Sequence, residues 1–306
     1  MKKLFLFLAL FLPFSAFSQK AKYDKFIEKY DVLKYLPDIS NQNPSIFWRT
    51  VVNNNPELVK NTDKFLKPKG AAKEALERIN EANRKNKMME PLLPRLDNPK
   101  FNESVHEVLL GDSCGGENIT FAILDSPEKN AFTTPDGLIC VLNGIIEKLE
   151  KNNEMIIGVL AHEVTHYMLR HALMHEYETI KKEKKNNIVA GIAGTAVAIG
   201  GLAAATSGVY IEELEQNIQG IVEGANEWTR HFNYRYSREQ EIESDICAYR
   251  FLEWIGIDPN TYIQALEKID LDLFTSDDKD NDHPTISFRT ELLRQLQPAP
   301  YPRSEE

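Results

Sequence analysis

Cysteine is scarce in this chain. Only Cys114, Cys140 and Cys247 occur among 306 residues. Three scattered cysteines cannot form a disulfide framework, and none stands in CxxC spacing, which removes thiol redox chemistry from the reading. Basic residues are also in deficit, with 36 Lys and Arg against 46 Asp and Glu and a net charge of −10. No Lys/Arg stripe with interleaved aromatics appears, so a nucleic-acid partner is excluded. Long apolar runs are few. Leu4 to Phe14 is too short to span a bilayer and follows Lys2 and Lys3. With Ala16-Phe17-Ser18 as a small-x-small site, residues 1–18 read as a secretory signal peptide. No cysteine lies near that site to carry a lipid anchor. The expected protein is exported, to a periplasm.

The second apolar run, Ile188 to Tyr210, follows the charged stretch Lys181 to Lys185. Its length and polarity meet the criterion for a membrane helix. Gly191, Gly194, Gly200, Gly201 and Gly208 weaken one continuous helix. We read 188–210 as an apolar lid or buried hairpin, with contact to a membrane surface as the alternative.

What the chain does have is Ala161-His162-Glu163-Val164-Thr165-His166-Tyr167, an HExxH pattern in an apolar run. On a helix, positions i and i+4 are about one turn apart, so His162 and His166 share a face, about 6 Å apart along the axis. That spacing lets two imidazoles share one Zn²⁺, and Glu163 stands where a carboxylate can serve as general base toward a water. Ile157, Leu160, Val164 and Met168 recur on one face, and Val159, Leu169 and Leu173 flank the histidines on another. A helix apolar on both sides is buried, and buried histidines need partners. Asn152 or Asn153 is expected to cap this helix, which is expected to run to about His175. His171 is nine positions after His162, about half a turn round, and so points away from the same metal. His171 and His175 are read as structural or surface residues.

Two histidines leave a catalytic zinc one protein ligand short. Tyr236 to Asp245 supplies candidates on a helical pattern. Glu241 and Asp245 share a face at i, i+4, so one can ligate while the other accepts the free ring N–H of a ligand histidine. Glu239 and Glu243 are read as an exposed acidic face. Further along, Asn281-Asp282-His283-Pro284 begins another helix with Arg289 on its first turns. Arg289, His283 and Tyr236 are candidate donors to a developing oxyanion.

Upstream, residues 20–94 are polar, helical in pattern and punctuated by prolines, and they read as scaffold. Ile119 to Leu124 and Leu138 to Leu142 are short β-type runs, with Pro135-Asp136-Gly137 as a turn. A strand beside a metal site can receive an extended peptide along an exposed edge.

These blocks resemble the HtpX-like zinc metallopeptidases, a family that includes the CAAX prenyl proteases and soluble periplasmic peptidases. The resemblance is carried by His162-Glu163-x-x-His166-x-x-x-Arg170-His171 and Glu241-x-x-x-Asp245. It is extended by Asn130-Ala131-Phe132-x-x-Pro135-Asp136-Gly137-x-Ile139-x-Val141 and His283-Pro284-x-x-x-x-Arg289. Asp136 and Ser244 are mild departures from the family pattern. The resemblance implies one Zn²⁺ per chain held by His162, His166 and Glu241, with Asp245 orienting a ligand histidine. It implies a substrate-binding strand of Asn130, Ala131, Phe132 and Ile139, and His283 as a regulatory fourth ligand. The expected fold is α+β, a mostly helical zincin-like (gluzincin) domain with a small sheet.

The expected organisation is a signal peptide at 1–18, an N-terminal helical adjunct at 19–97, a peptidase domain at 98–297 and a disordered tail at 298–306. The expected activity is zinc-dependent endopeptidase action on unfolded or misassembled envelope proteins. The rival readings are a latent metal-binding, chaperone-like module and a membrane-attached protease using 188–210.

Overall fold

Three acidic residues within five positions, Glu241, Glu243 and Asp245, are all buried, at 6%, 7% and 1% exposure. Buried carboxylates require partners, and the fold is arranged so that each has them. The computed structural model describes residues 20–36, 43–96, 99–111, 119–192, 236–270 and 284–296.

The chain begins with helices α1 (20–30), α2 (Pro44–Asn54) and α3 (Pro56–Leu66). The long α4 (Ala71–Met89), strand β1 (Arg95–Leu96) and α5 (Pro99–Leu110) follow. Strands β2 (Thr120–Leu124), β3 (Ala131–Thr133) and β4 (Leu138–Leu142) lead through α6 (Asn143–Lys148) to α7 (Asn153–Met168) and α8 (His171–Ile192). Then come α9 (Arg238–Trp254), α10 (Asn260–Asp270) and α11 (Ile286–Arg294). The architecture is mostly helical with a small mixed sheet, as expected for the α+β class.

Local chemistry sets the helix starts. Proline opens α2 and α3, where its missing N–H costs nothing, and Asn43 and Asn55 cap them. Asn152 Oδ1 accepts from Met155 N at 3.1 Å and caps α7. Ser237 and Gln240 form a reciprocal capping box on α9.

The sheet order is β1-β2-β4-β3, with β2 and β4 parallel and β1 and β3 antiparallel to their neighbours. The two β-type runs seen in the sequence therefore lie side by side without forming a hairpin. The hairpin is β3–β4, closed at Pro135-Asp136-Gly137, where Gly137 takes the left-handed φ of 96°. Phe121, Ile123, Ile139 and Val141 pack on the helices, whereas Ala122, Leu124, Phe132, Cys140 and Leu142 form a second cluster on the other face. This is the period-2 alternation of a strand.

The helix bearing the HExxH segment does not continue to His175. It stops at Met168, and Arg170 adopts a left-handed φ of 52° before α8 begins at His171. That break turns His171 back toward α7. On α7, Gly158 lets α10 come close, because a Cβ there would meet the Tyr262 ring at 3.0 Å.

The N-terminal helices share the main core. Trp48 stacks on Phe251 with centroids 4.9 Å apart, Phe47 meets Phe251 at 5.2 Å, and Trp48 Nε1 donates to Leu109 O at 2.7 Å. Each such aromatic contributes about 1.5–3 kcal/mol by burial, so α2 is bound firmly to α9. Arg250, also buried, reaches from α9 to Asp31 through two hydrogen bonds of 3.0 and 2.8 Å.

No described helix is long and apolar enough to cross a membrane. The expected signal peptide at 1–18, the tail at 298–306, His283 and most of the 188–210 run lie outside the described residues.

Candidate metal centre

The first site residues come from α7. His162 Nε2 and His166 Nε2 converge to 3.0 Å. The third group arrives from α9, with Glu241 Oε2 3.7 Å from His162 Nε2 and Oε1 3.7 Å from His166 Nε2. Among the described residues these three form the group of His, Cys, Asp and Glu able to hold a metal ion, with one ligand atom from each within 4.8 Å of the others. Tetrahedral ligands at 2.0–2.2 Å lie about 3.3 Å apart, so two nitrogens and one oxygen at these separations fit a zinc ion.

The other ring nitrogens are occupied, which leaves both Nε2 atoms directed inward. His162 Nδ1 donates to Asp245 Oδ1 at 3.0 Å, and the Tyr262 hydroxyl oxygen lies 3.0 Å from the same nitrogen. Tyr262 donates its own proton to Asp245 Oδ1 at 2.7 Å. Arg289 completes this cluster, with Nε 2.6 Å from Asp245 Oδ2 and Nη2 2.6 Å from Oδ1. Burial alone would raise the Asp245 carboxyl, but the Arg289 charge and the His162 hydrogen bond overcome it and hold the group well below the usual carboxylate range. Burial would likewise lower His162, and the Asp245 hydrogen bond and charge reverse that into a rise.

Glu163 is buried beside these residues, and desolvation raises its pKa above the ordinary carboxylate value. Thr133 Oγ1 on β3 lies 2.9 Å from both Glu163 Oε2 and the Glu163 carbonyl oxygen, so its single proton fixes the carboxylate against the strand. Tyr236 stacks on His166 with ring centroids 3.7 Å apart and donates to the Thr133 carbonyl at 3.4 Å.

Comparison with known proteins gives the family of the chain. The model of "Peptidase family M48" matches residues 96–297, well over half of the chain. The chain belongs to peptidase family M48. Two Escherichia coli (strain K12) proteins are similar to this M48 chain. "Metalloprotease YcaL" is 26% identical over 186 residues, and "Metalloprotease LoiP" is 25% identical over 186 residues. Each match covers 60% of this chain and 65% of the relative, so the chain spans just under two thirds of either length. The resemblance to HtpX-like metallopeptidases drawn from the motifs is borne out at the level of the family.

Several residue expectations need correction in this M48 chain. Glu243 is not on an exposed face. It is 7% exposed, with Oε1 accepting from Asn55 Nδ2 at 2.7 Å and Oε2 3.3 Å from His171 Nε2. Glu239 does sit at the surface, where Lys29 and Tyr30 donate to it. His171 does not join the ligands, yet its Nδ1 lies 2.9 Å from His166 Nδ1.

Ile139 cannot receive an extended peptide. It is fully buried on β4, which is paired with β2 on one side and β3 on the other. Phe132 points into the second core cluster. The sheet edge near the site is β3, with Asn130 adjoining it through a carbonyl that accepts from Leu142 N at 3.0 Å. Thr134 and Leu142 amides bond across this hairpin to Leu138 and Asn130 carbonyls, so the amide groups of Ala131 and Thr133 face the other way, outward.

Arg289 does not fit the oxyanion role, because two of its nitrogens are bound to Asp245 and the third, Nη1, lies 3.6 Å from Glu241 Oε2. His283 falls outside the described residues. Thr133, Tyr262, Glu243 and Asn55 escaped the sequence reading of the site. Thr133 stood within the strand segment already singled out. Tyr262 and Asn55 carry no pattern that marks them.

Proposed function

We propose that this protein is a zinc-dependent endopeptidase whose ion is held by His162, His166 and Glu241. The observation that carries the reading is the convergence of those three groups with the buried Glu163 beside them. A structural site has no need of a general base, and a buried carboxylate next to the first ligand suits one. Bound there, zinc would polarise the scissile carbonyl and lower the pKa of a water.

The chain's own residues have separate tasks. Glu163, held at Oε2 by Thr133, takes the proton of the attacking water and delivers it to the leaving amine. Asp245, fixed by Arg289 and Tyr262, keeps the His162 proton on Nδ1. Arg289 also faces Glu241 and balances the negative charge of the two acids. The outward amide groups of Ala131 and Thr133 offer main-chain hydrogen bonds to an extended substrate. Tyr236, against both His166 and Thr133, is the proposed donor to a developing oxyanion.

The same proposal extends to residues 1–18 as a cleaved signal peptide, 19–97 as a helical adjunct, 98–297 as the peptidase domain and 298–306 as a tail. Its substrates would be unfolded or misassembled envelope proteins in a periplasm, with 188–210 as an apolar lid or buried hairpin and contact with a membrane surface as the alternative. The M48 match and the metalloprotease names of the relatives support polypeptide substrates.

The test pairs zinc content with hydrolysis of casein by wild type and Glu163→Gln. One zinc per chain in both, with cleavage only by wild type, is the expected result. Zinc binding by a wild type that cleaves neither casein nor denatured envelope protein would overturn the reading.

A further inference from the structure

The Asp245 cluster accounts for His162 but leaves His166 to be explained. Its Nδ1 faces His171 Nδ1 at 2.9 Å, His171 Nε2 faces Glu243 Oε2 at 3.3 Å, and Glu243 Oε1 accepts from Asn55 Nδ2 at 2.7 Å. The proton positions along this line follow from its two ends. An amide nitrogen only donates, and a carboxylate only accepts. Glu243 therefore accepts at both oxygens, which puts a proton on His171 Nε2 and, in the neutral ring, leaves Nδ1 as an acceptor, with Ser244 Oγ a further 3.5 Å contact of the same nitrogen. His166 must then carry its proton on Nδ1, which leaves the Nε2 lone pair directed at the His162 and Glu241 groups. The opposite tautomer of His166 would set two lone pairs against each other at 2.9 Å, whereas the lone pairs this tautomer leaves facing at 3.0 Å, on His162 Nε2 and His166 Nε2, are the two that a metal ion between them takes up.

Asn55 lies in the junction between α2 and α3, outside residues 96–297 that match the family model. Its Oδ1 is already occupied by the amides of Glu57 and Leu58 at 3.0 and 2.9 Å, so only Nδ2 is left to turn toward Glu243. Gln240 Nε2 donates to the His171 carbonyl at 2.9 Å and pins the start of α8. Each link is thus held from a different element.

We propose that the N-terminal helices complete the metal centre. Asn55 fixes Glu243, Glu243 fixes the His171 tautomer, and His171 fixes His166 as a ligand through Nε2. The proposal rests on the metal reading above and adds to it a set of positioning residues. Outer partners of ligand histidines are worth about 10–100-fold in metal affinity, and this relay falls in that class.

The experiment uses full-length protein and two readouts besides activity. Zinc affinity is measured by chelator competition, and the His166 tautomer is read from imidazole ¹⁵N shifts in the zinc-free and zinc-loaded protein. Asn55→Ser keeps a capping oxygen for α3 and removes the donor to Glu243. His171→Phe keeps bulk and removes the acceptor for His166, whereas His171→Asn puts an amide oxygen near the position of Nδ1.

We expect zinc affinity to fall about tenfold in Asn55→Ser and up to about 100-fold in His171→Phe. His171→Asn should recover most of it, and Asn55→Ser should lower the zinc-free melting temperature by a few degrees, as expected for one lost hydrogen bond to a buried carboxylate. In the zinc-free wild type His166 should be the Nδ1–H tautomer, and in His171→Phe a mixture. Wild-type affinity in both Asn55→Ser and His171→Phe, or an Nε2–H tautomer in the zinc-free wild type, would overturn the proposal. If wild type takes up no zinc, the peptidase reading fails, and the tautomer alone then decides the relay.

Discussion

The two ligand histidines sit four residues apart on one helix, yet they are braced in opposite ways. His162 is backed by an ion pair, Asp245 with Arg289, reinforced by Tyr262. His166 is backed by a relay through His171 and Glu243 that ends on the neutral Asn55. Both braces use acids from α9, but one is tied down by the C-terminal helices and the other by the N-terminal ones. The charged brace is strong and intolerant of a lost partner, because removal strands a buried charge. The other brace also buries a carboxylate, Glu243, but holds it with the neutral donors Asn55 and His171, so losing either one removes a hydrogen bond and strands no cation. A site built this way has one ligand held firmly and one whose orientation depends on how α2 and α3 are seated.

The largest effect should come from breaking the charged brace at its cation. Arg289→Met leaves Asp245 buried without its main partner, and unfolding in urea should show a loss of about 3–5 kcal/mol. Removing the acid instead, with Asp245→Asn, should spare more stability while weakening zinc by about 10–100-fold in chelator competition. A milder change is Tyr262→Phe, which deletes one hydrogen bond to a charged group. It should lose about 1.5–3 kcal/mol in the same denaturation measurement, with the Asp245–Arg289 pair intact.

Gly158→Ala sharpens the comparison by pressing on the His162 brace alone. Its methyl would meet Tyr262 at 3.0–3.1 Å, so Tyr262 must give by a few tenths of an ångström, which disturbs its hydrogen bond to Asp245. Zinc affinity should fall while the His166 tautomer stays unchanged. The smallest effect belongs to the surface. Lys29 and Tyr30 hold Glu239 below its ordinary pKa through hydrogen bonds. Stability from that lowering is present above the unfolded value of about 4.3 and is lost as pH falls toward the folded one. Lys29→Met should therefore cost less than about 1 kcal/mol at pH 7 and less still in acid, read from urea unfolding as the pH is lowered.

How much of this was legible in the sequence follows the range of the contacts. His162, Glu163 and His166 are set by the local repeat of one helix, and Glu241 with Asp245 by the repeat of another, so spacing alone brought them forward. Glu243 sits on the same helix, but its partners are 188 and 72 positions away, and its burial depends on them. An acidic helix with no visible partners reads as solvated. His171 was misjudged for a different reason. The helix break before it has no glycine or proline to mark it, since Arg170 takes the left-handed turn. Helical geometry carried past that point sends His171 away from the metal, whereas the turn brings it onto His166. The sheet was half legible. The buried runs of β2 and β4 stand out, whereas the two-residue β1 and three-residue β3 are too short to show a period.

The measurement closest to the central claim is the position of zinc in crystals of the zinc-loaded full-length protein, read from anomalous scattering at the zinc edge. The account predicts one peak, about 2.0–2.2 Å from His162 Nε2, His166 Nε2 and a Glu241 carboxylate oxygen, with Glu163 beside it and not ligating. A peak elsewhere in metal-replete crystals, or one coordinated by Glu163 in place of Glu241, would contradict it.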